Sequence, residues 1–136
     1  MSWDGYIDNI IGRAKNSSCD KACIIGLDGG GPWTTAANAN NITLAAGEGQ
    51  KIAAALKSQQ FDAFQANGIW VAGLKYQFLR SVDDNCVLGK KKDNGAITIM
   101  KSKTAVVIAH TKEGGQHGDT NAAVESIVQY LESSNM

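Results

Sequence analysis

The stretch Gly89-Lys90-Lys91-Lys92-Asp93-Asn94-Gly95-Ala96-Ile97-Thr98-Ile99 decides the fold class. Asn-Gly at 94–95 is a strong hairpin signal, because a two-residue turn of this kind needs positive φ at its centre. The flanking segments 86–91 and 96–101 read as strands. Strands joined by so short a turn pair antiparallel, since parallel neighbours need a long crossover. Working outward, 69–73, 74–82 and 104–110 also read as strands, set apart by Asp83-Asp84-Asn85 and Lys101-Ser102-Lys103. The second half of the chain is therefore an antiparallel sheet.

Helical periodicity lies at both ends. Trp3, Tyr6, Ile7, Ile10, Ile11 and Ala14 fall on one face of a helix predicted over 2–14, with Ser2 as its cap and Asp4 in its first turn. Val124, Ile127, Val128 and Leu131 form the buried stripe of a helix over 119–133, capped by Asp119 or Thr120. Between them, Ala22–Leu27 reads as a buried strand and Asp28-Gly29-Gly30-Gly31-Pro32 as a turn, and Trp33-Thr34-Thr35 can begin another strand. Residues 43–57 read as a helix with Ile52, Ala53 and Leu56 on one face, and Asn67-Gly68 as a turn. The expected fold class is α+β, an antiparallel sheet covered by the two terminal helices. At 136 residues the chain is expected to be a single domain.

Thirteen basic and thirteen acidic residues cancel, which argues against a dedicated nucleic-acid binder. The cancellation is uneven. Lys75, Arg80, Lys90, Lys91, Lys92, Lys101 and Lys103 face only Asp83, Asp84 and Asp93 in their stretch, leaving a net +4 there and about −4 in the rest. Such a segment reads either as solvated hairpin ends or as a basic face for an acidic partner or anionic lipid. The opening has no signal-peptide pattern and no apolar run is long enough to span a membrane, so a cytoplasmic protein with reduced thiols is expected. Cys19, Cys23, His110 and His117 lack zinc-site spacing, and Gly26–Gly31 lacks the Lys-Ser/Thr of a phosphate-binding loop. No nucleophile elbow occurs, so no metal, cofactor or catalytic residue is assigned. A hydrolase using His110 or His117 and a small-molecule sensor on a similar scaffold are the rival readings.

The aromatic side chains carry more. If the terminal helices lie side by side, Trp3, Tyr6 and Tyr130 make one aromatic strip, with Trp33 following the glycine turn. Such a strip suits a proline-rich ligand, which is already extended and loses little entropy on docking. The alternative is that all four rings pack in the core.

Ser2-Trp3-Asp4-Gly5-Tyr6-Ile7-Asp8, Ile25-Gly26-Leu27-Asp28-Gly29 with Trp33, Gly89-Lys90-Lys91-Lys92, Gly95-Ala96-Ile97-Thr98-Ile99, and Ala123-Val124-Glu125 through Tyr130-Leu131 occur in an order and spacing that resembles the profilins over essentially the whole length. The compact length is similar to plant, amoeba and invertebrate members. The resemblance implies a central antiparallel sheet with the terminal helices on one face and shorter helices on the other. It implies a poly-L-proline site at Trp3, Tyr6, Trp33 and Tyr130, with Met136 where many members have a C-terminal aromatic. It implies an actin face at Lys75, Arg80, Lys90, Lys91, Thr98, Gln116, Gly118, Asn121 and Glu125, and phosphoinositide binding through Arg80, Lys90 and Lys91. The implied partners are monomeric actin, proline-rich proteins such as formins, and phosphatidylinositol phosphates, in the actin cytoskeleton.

Overall fold

The structure is a computed structural model that describes residues 3–136. A six-stranded antiparallel sheet runs in the order β1-β6-β5-β4-β3-β2, with β1 at Cys19–Gly26, β2 at Ile69–Val71, β3 at Leu74–Val82, β4 at Cys86–Lys90, β5 at Ala96–Lys101 and β6 at Ala105–Thr111. The helices are α1 (Gly5–Arg13), α2 (Glu48–Ser58), α3 (Asp62–Asn67) and α4 (His117–Ser133). No helix of the described residues is long and apolar enough to cross a membrane.

The sheet separates two cores. On one face Ala22, Ile24, Ala105, Val107 and Ala109 meet Ile7 and Ile10 of α1 and Val124, Ile127, Val128 and Leu131 of α4. On the other, Cys23, Ile25, Val106 and Ile108 meet Ile52 and Leu56 of α2 and Phe64 of α3. The continuous apolar runs of β1 and β6 follow from this, because both of their faces are covered. The alanines on the α1/α4 side are small enough to let the helices approach closely. Each fully buried Ile or Leu contributes roughly 1.5–3 kcal/mol.

Several local expectations change. The first helix begins at Gly5, so Trp3 and Asp4 precede it. The cap expected at Ser2 lies outside the described residues. No strand forms at 33–35. Trp33 and Thr34 both donate their N–H to Ile24 O, at 2.9 and 3.2 Å, and Thr34 Oγ1 accepts Ile24 N–H at 3.1 Å. A side chain therefore stands where a ladder partner would be, and only single-residue bridges at Pro32 and Asn41 reach β1. The second helix starts at Glu48 rather than 43, after Gly47 at φ 84°. The buried Glu48 carboxylate accepts three backbone N–H groups, Ala45 at 2.9 Å, Ala72 at 2.6 Å and Gly73 at 2.8 Å. It fastens the β2–β3 hairpin to α2. The short helix α3 carries no clear periodic signal, and is held by Phe61 and Phe64 stacking at 6.1 Å. The last helix starts at His117, and neither Asp119 nor Thr120 caps it. Asp119 instead accepts from Ser18 Oγ at 3.0 Å, and Thr120 Oγ1 accepts from Thr111 Oγ1 at 2.7 Å.

The three cysteines are free and buried. Burial pushes the thiols up, to about 11 at Cys19, about 12 at Cys23 and about 11 at Cys86. Cys19 and Cys23 lie in opposite cores, so they do not converge with His110 and His117.

Candidate binding surfaces

The aromatic residues form one row across α1, α4 and the glycine turn. Trp33 and Trp3 have ring centroids 4.7 Å apart, Trp3 and Tyr6 stack at 5.1 Å, and Tyr6 meets Tyr130 at 6.2 Å. Tyr130 is 54% exposed, and the other three are half-buried against the α1/α4 core. The row is therefore neither core nor free surface. Its inner edges pack and its outer faces remain available to flat apolar ligands. The Tyr6 hydroxyl is pushed up, first by burial and then by the charge and hydrogen bond of Tyr130.

The backbone fixes this row. Asp4 Oδ1 accepts Thr35 N–H at 2.6 Å and Oδ2 accepts Thr35 Oγ1 at 2.7 Å. Asn38 Nδ2 donates to Asp4 O at 3.1 Å and to Asp8 Oδ1 at 3.2 Å. The loop after the glycine turn is thereby tied to the start of α1, which sets Trp33 against Trp3. Gly26 supplies the floor, since a Cβ there would stand 2.9 Å from Trp33 Nε1. Arg13 Nη1 donates to Ser126 Oγ at 3.0 Å and joins α1 to α4. Met136 is half-buried against the same core, and its carbonyl accepts from Thr104 N at 2.6 Å and Ser102 Oγ at 2.7 Å.

Arg80 and Lys90 lie on the α4 side of the sheet, beyond its edge, while Lys75, Lys91 and Lys92 reach a groove beside α3 that Phe64 and Gly68 border. Alternation along β4 sends Val87 into the α2/α3 core, so Leu88 and Lys90 point to the α4 side. Gln77 pairs with Lys90, Arg80 with Leu88, and Leu88 with Thr98, so these residues form cross-strand rows on one face. A bulge between Phe78 and Arg80 shifts the register and brings Arg80 onto this face. Lys75, Arg80, Lys90, Gln116, Gly118 and Glu125 are exposed, while Lys91 and Asn121 are half-buried.

Thr98 requires a correction. It is fully buried, with its hydroxyl donating to Asn121 Oδ1, so it presents no surface to a partner. Its place is beneath Asn121, which it orients. His117 is the residue that sequence reasoning considered only as a metal ligand or hydrolase group. It joins this face, with Nε2–H donating to Ile97 O at 3.0 Å. Burial is the largest cause of its depressed basicity, opposed by the Ile97 hydrogen bond and reinforced by Arg80 and Lys90. Its position between Gln116 and Gly118 was the available signal. Cys86 feels both Glu125 and Arg80, which places the α4 carboxylate over the same strands.

The lysine hairpin is clamped at its turn. His110 Nε2–H donates to Asn94 O at 2.6 Å while Nδ1 lies 2.5 Å from Asp20 Oδ1. Gly95 N–H donates to Glu113 Oε2 at 2.8 Å. A Cβ on Gly95, which has φ 75°, would stand 1.8 Å from Thr111 O. The turn therefore requires glycine for both conformation and space.

With this geometry in view, the known proteins agree. The profilin family model matches residues 1–136. The chain belongs to the profilin family. A profilin of Clypeaster japonicus is 56% identical over 140 residues, covering 100% of both chains. Among solved structures, profilin II of Acanthamoeba castellanii superposes with a TM-score of 0.83 at 31% identity, covering 99% of this chain and 100% of that one. Mouse profilin IIa, solved in complex with a double repeat from the FH1 domain of mDia1, has a TM-score of 0.73 at 21% identity, covering 100% of both chains. The shared architecture is the profilin fold, with the terminal helices on one sheet face and the shorter helices on the other.

Proposed function

We propose that this profilin binds proline-rich segments along the row Trp33–Trp3–Tyr6–Tyr130, with Met136 at its end, and monomeric actin through the face of β3–β5 and the start of α4. The continuous row of four rings at centroid spacings of 4.7–6.2 Å carries the first assignment. A polyproline II segment places a ring every few ångströms along its axis, and fixed flat aromatics accept it with little ordering cost. The mouse relative solved with an FH1 repeat supports a formin-type partner.

The actin contacts in this reading are Lys75, Arg80, Lys90, Lys91, Gln116, Gly118, Asn121 and Glu125, with His117 added and Thr98 acting through Asn121. Family membership supports it, and so do the cross-strand rows that set Arg80 and Lys90 beside Thr98, which bonds Asn121 of α4. Binding there favours a more open nucleotide cleft in actin, speeds exchange, blocks nucleation and pointed-end growth, and delivers actin–ATP to barbed ends. Two surfaces on one rigid sheet allow an elongation factor to hold actin at high local concentration. Arg80, Lys90 and Lys91 serve phosphatidylinositol phosphates on an overlapping area. The scheme needs no covalent step and no cofactor, and it operates in the cytoplasm.

Poly-L-proline chromatography and a pyrene-actin assembly assay on one preparation test both surfaces. Retention on the resin together with slowed spontaneous assembly is expected. A protein that passes through the resin and leaves assembly unchanged overturns the reading.

A further inference from the structure

Strand β2 is the outer edge of the sheet, and it carries Trp70, which is 47% exposed. Trp70 lies directly opposite Lys75 across the β2–β3 hairpin, so the two share a face. The indole N–H donates to Asn67 O at 3.2 Å. The ring's one polar atom is thus satisfied within the protein, and what it offers outward is apolar. The ring borders a mostly apolar slot between α2 and α3, lined by Ile52, Ala55, Ala63 and Phe64 together with Glu48, Lys51 and Asp62.

A second groove, of about 460 Å³, adjoins this slot and gathers Lys75, Lys90, Lys91 and Lys92. Among the described residues, no acidic side chain lines it. Phe64 and Gly68 border both spaces, so the slot and the groove are neighbours. A Cβ on Gly68 would stand 2.7 Å from Lys75 Cε. The aliphatic stem of Lys75 therefore crosses bare backbone at the junction of the two.

A groove with four lysines and no acidic side chain, beside a half-exposed indole, is complementary to an anionic bilayer surface. Lysine ammonium groups are mobile point charges that suit head-group phosphates, and tryptophan settles at head-group depth. We propose that this edge docks on an anionic bilayer, with Trp70 entering the interfacial layer while Lys75, Lys90, Lys91 and Lys92 meet lipid phosphates. The proposal rests on the phosphoinositide reading above and extends that contact from Arg80 towards the β2 edge.

The test uses the whole chain with phosphatidylcholine vesicles, with and without phosphatidylserine and a phosphatidylinositol bisphosphate, some carrying brominated acyl chains. Tryptophan emission is expected to be quenched on the anionic brominated vesicles, and that quenching is lost in Trp70→Phe. Trp70→Ala is expected to weaken vesicle partition roughly tenfold while leaving affinity for soluble inositol trisphosphate unchanged. Equal quenching in Trp70→Phe, or unchanged partition of a folded Trp70→Ala, overturns the insertion of Trp70. The phosphoinositide reading survives that result if reversing Lys90 and Lys91 still abolishes vesicle binding. Failure of the unaltered protein to bind anionic vesicles removes the reading and the inference together. Loss of actin affinity in Trp70→Ala with vesicle binding intact assigns the edge to a protein partner instead.

Discussion

The aromatic row and the basic face are built to opposite specifications on one sheet. The row is held by short backbone and carboxylate contacts, with Asp4 fastening Thr35 and Gly26 supporting Trp33. Its rings are positioned before a ligand arrives. The basic face has a fixed floor, where Thr98 orients Asn121 and Ile97 holds His117, but its charges ride on long exposed side chains at Lys75, Arg80 and Lys90. In the proposed reading one surface recognises shape and tolerates salt. The other recognises charge, and exposed charges weaken as ionic strength rises. In the proposed scheme this difference lets two partners be held at once and regulated separately.

The largest effect is expected from Trp3→Ala. Trp3 is the ring that touches both Trp33 and Tyr6, so its loss divides the row in two. Retention on immobilised poly-L-proline is expected to vanish while actin affinity stays close to that of the unaltered protein. Normal retention of the folded variant would sink the aromatic assignment. A parallel loss of actin binding would break the separation of the two surfaces.

Charge reversal of Lys90 and Lys91 probes the opposite surface. It is expected to weaken actin and phosphoinositide binding by roughly tenfold or more at low salt, and by less at high salt, where screening already reduces these contacts. Poly-L-proline retention is expected to be unchanged. Titrations of both ligands at two ionic strengths decide it, and unchanged affinity at low salt removes these lysines from the face.

Gly26→Ala sharpens the comparison with a smaller effect. The added methyl would sit 2.9 Å from Trp33 Nε1, so the ring must shift without any aromatic atom being removed. A several-fold loss of proline-peptide affinity is expected if preorganisation matters, by analogy with other positioning effects on binding. Calorimetric titration with a proline-rich peptide reads it. Affinity equal to that of the unaltered protein would mean that the row adjusts freely and that its backbone anchors are incidental.

Much of this was legible in the residues. Asn94-Gly95 announced the hairpin on which the lysines ride, although residues 91–95 close it and Asp93 and Gly95, not Asn94, take positive φ; the spacing of Trp3 and Tyr6 with Tyr130 announced the row. What was hidden depends on long-range partners. The segment at Trp33–Thr35 has strand-like composition, but Thr34 Oγ1 takes the Ile24 N–H and Asp4 takes Thr35, thirty-one residues away, so no ladder forms. Thr98 lies in a strand whose α4-side residues are exposed or covered according to where the helix edge falls, and no local pattern gives that edge. The same edge brings His117 beside Arg80 and Lys90.

His117 supports the smallest and most specific prediction. Burial is the main cause that lowers its basicity below the ordinary 6.5, and the nearby Arg80 and Lys90 add to it. Between its folded value and 6.5 the unfolded chain binds more protons, so stability rises with pH in that window. The neutral ring's contribution is fully present above 6.5 and is lost as pH falls below it, through the folded value. His117→Gln removes the titration and can keep a donor towards Ile97 O. Chemical denaturation across pH 5 to 7.5 is expected to show a shallower slope in His117→Gln than in the unaltered protein. Every other group is common to both proteins, so the difference between the two curves isolates His117. Superimposable slopes would mean that the ring protonates as readily in the folded protein as in the unfolded chain.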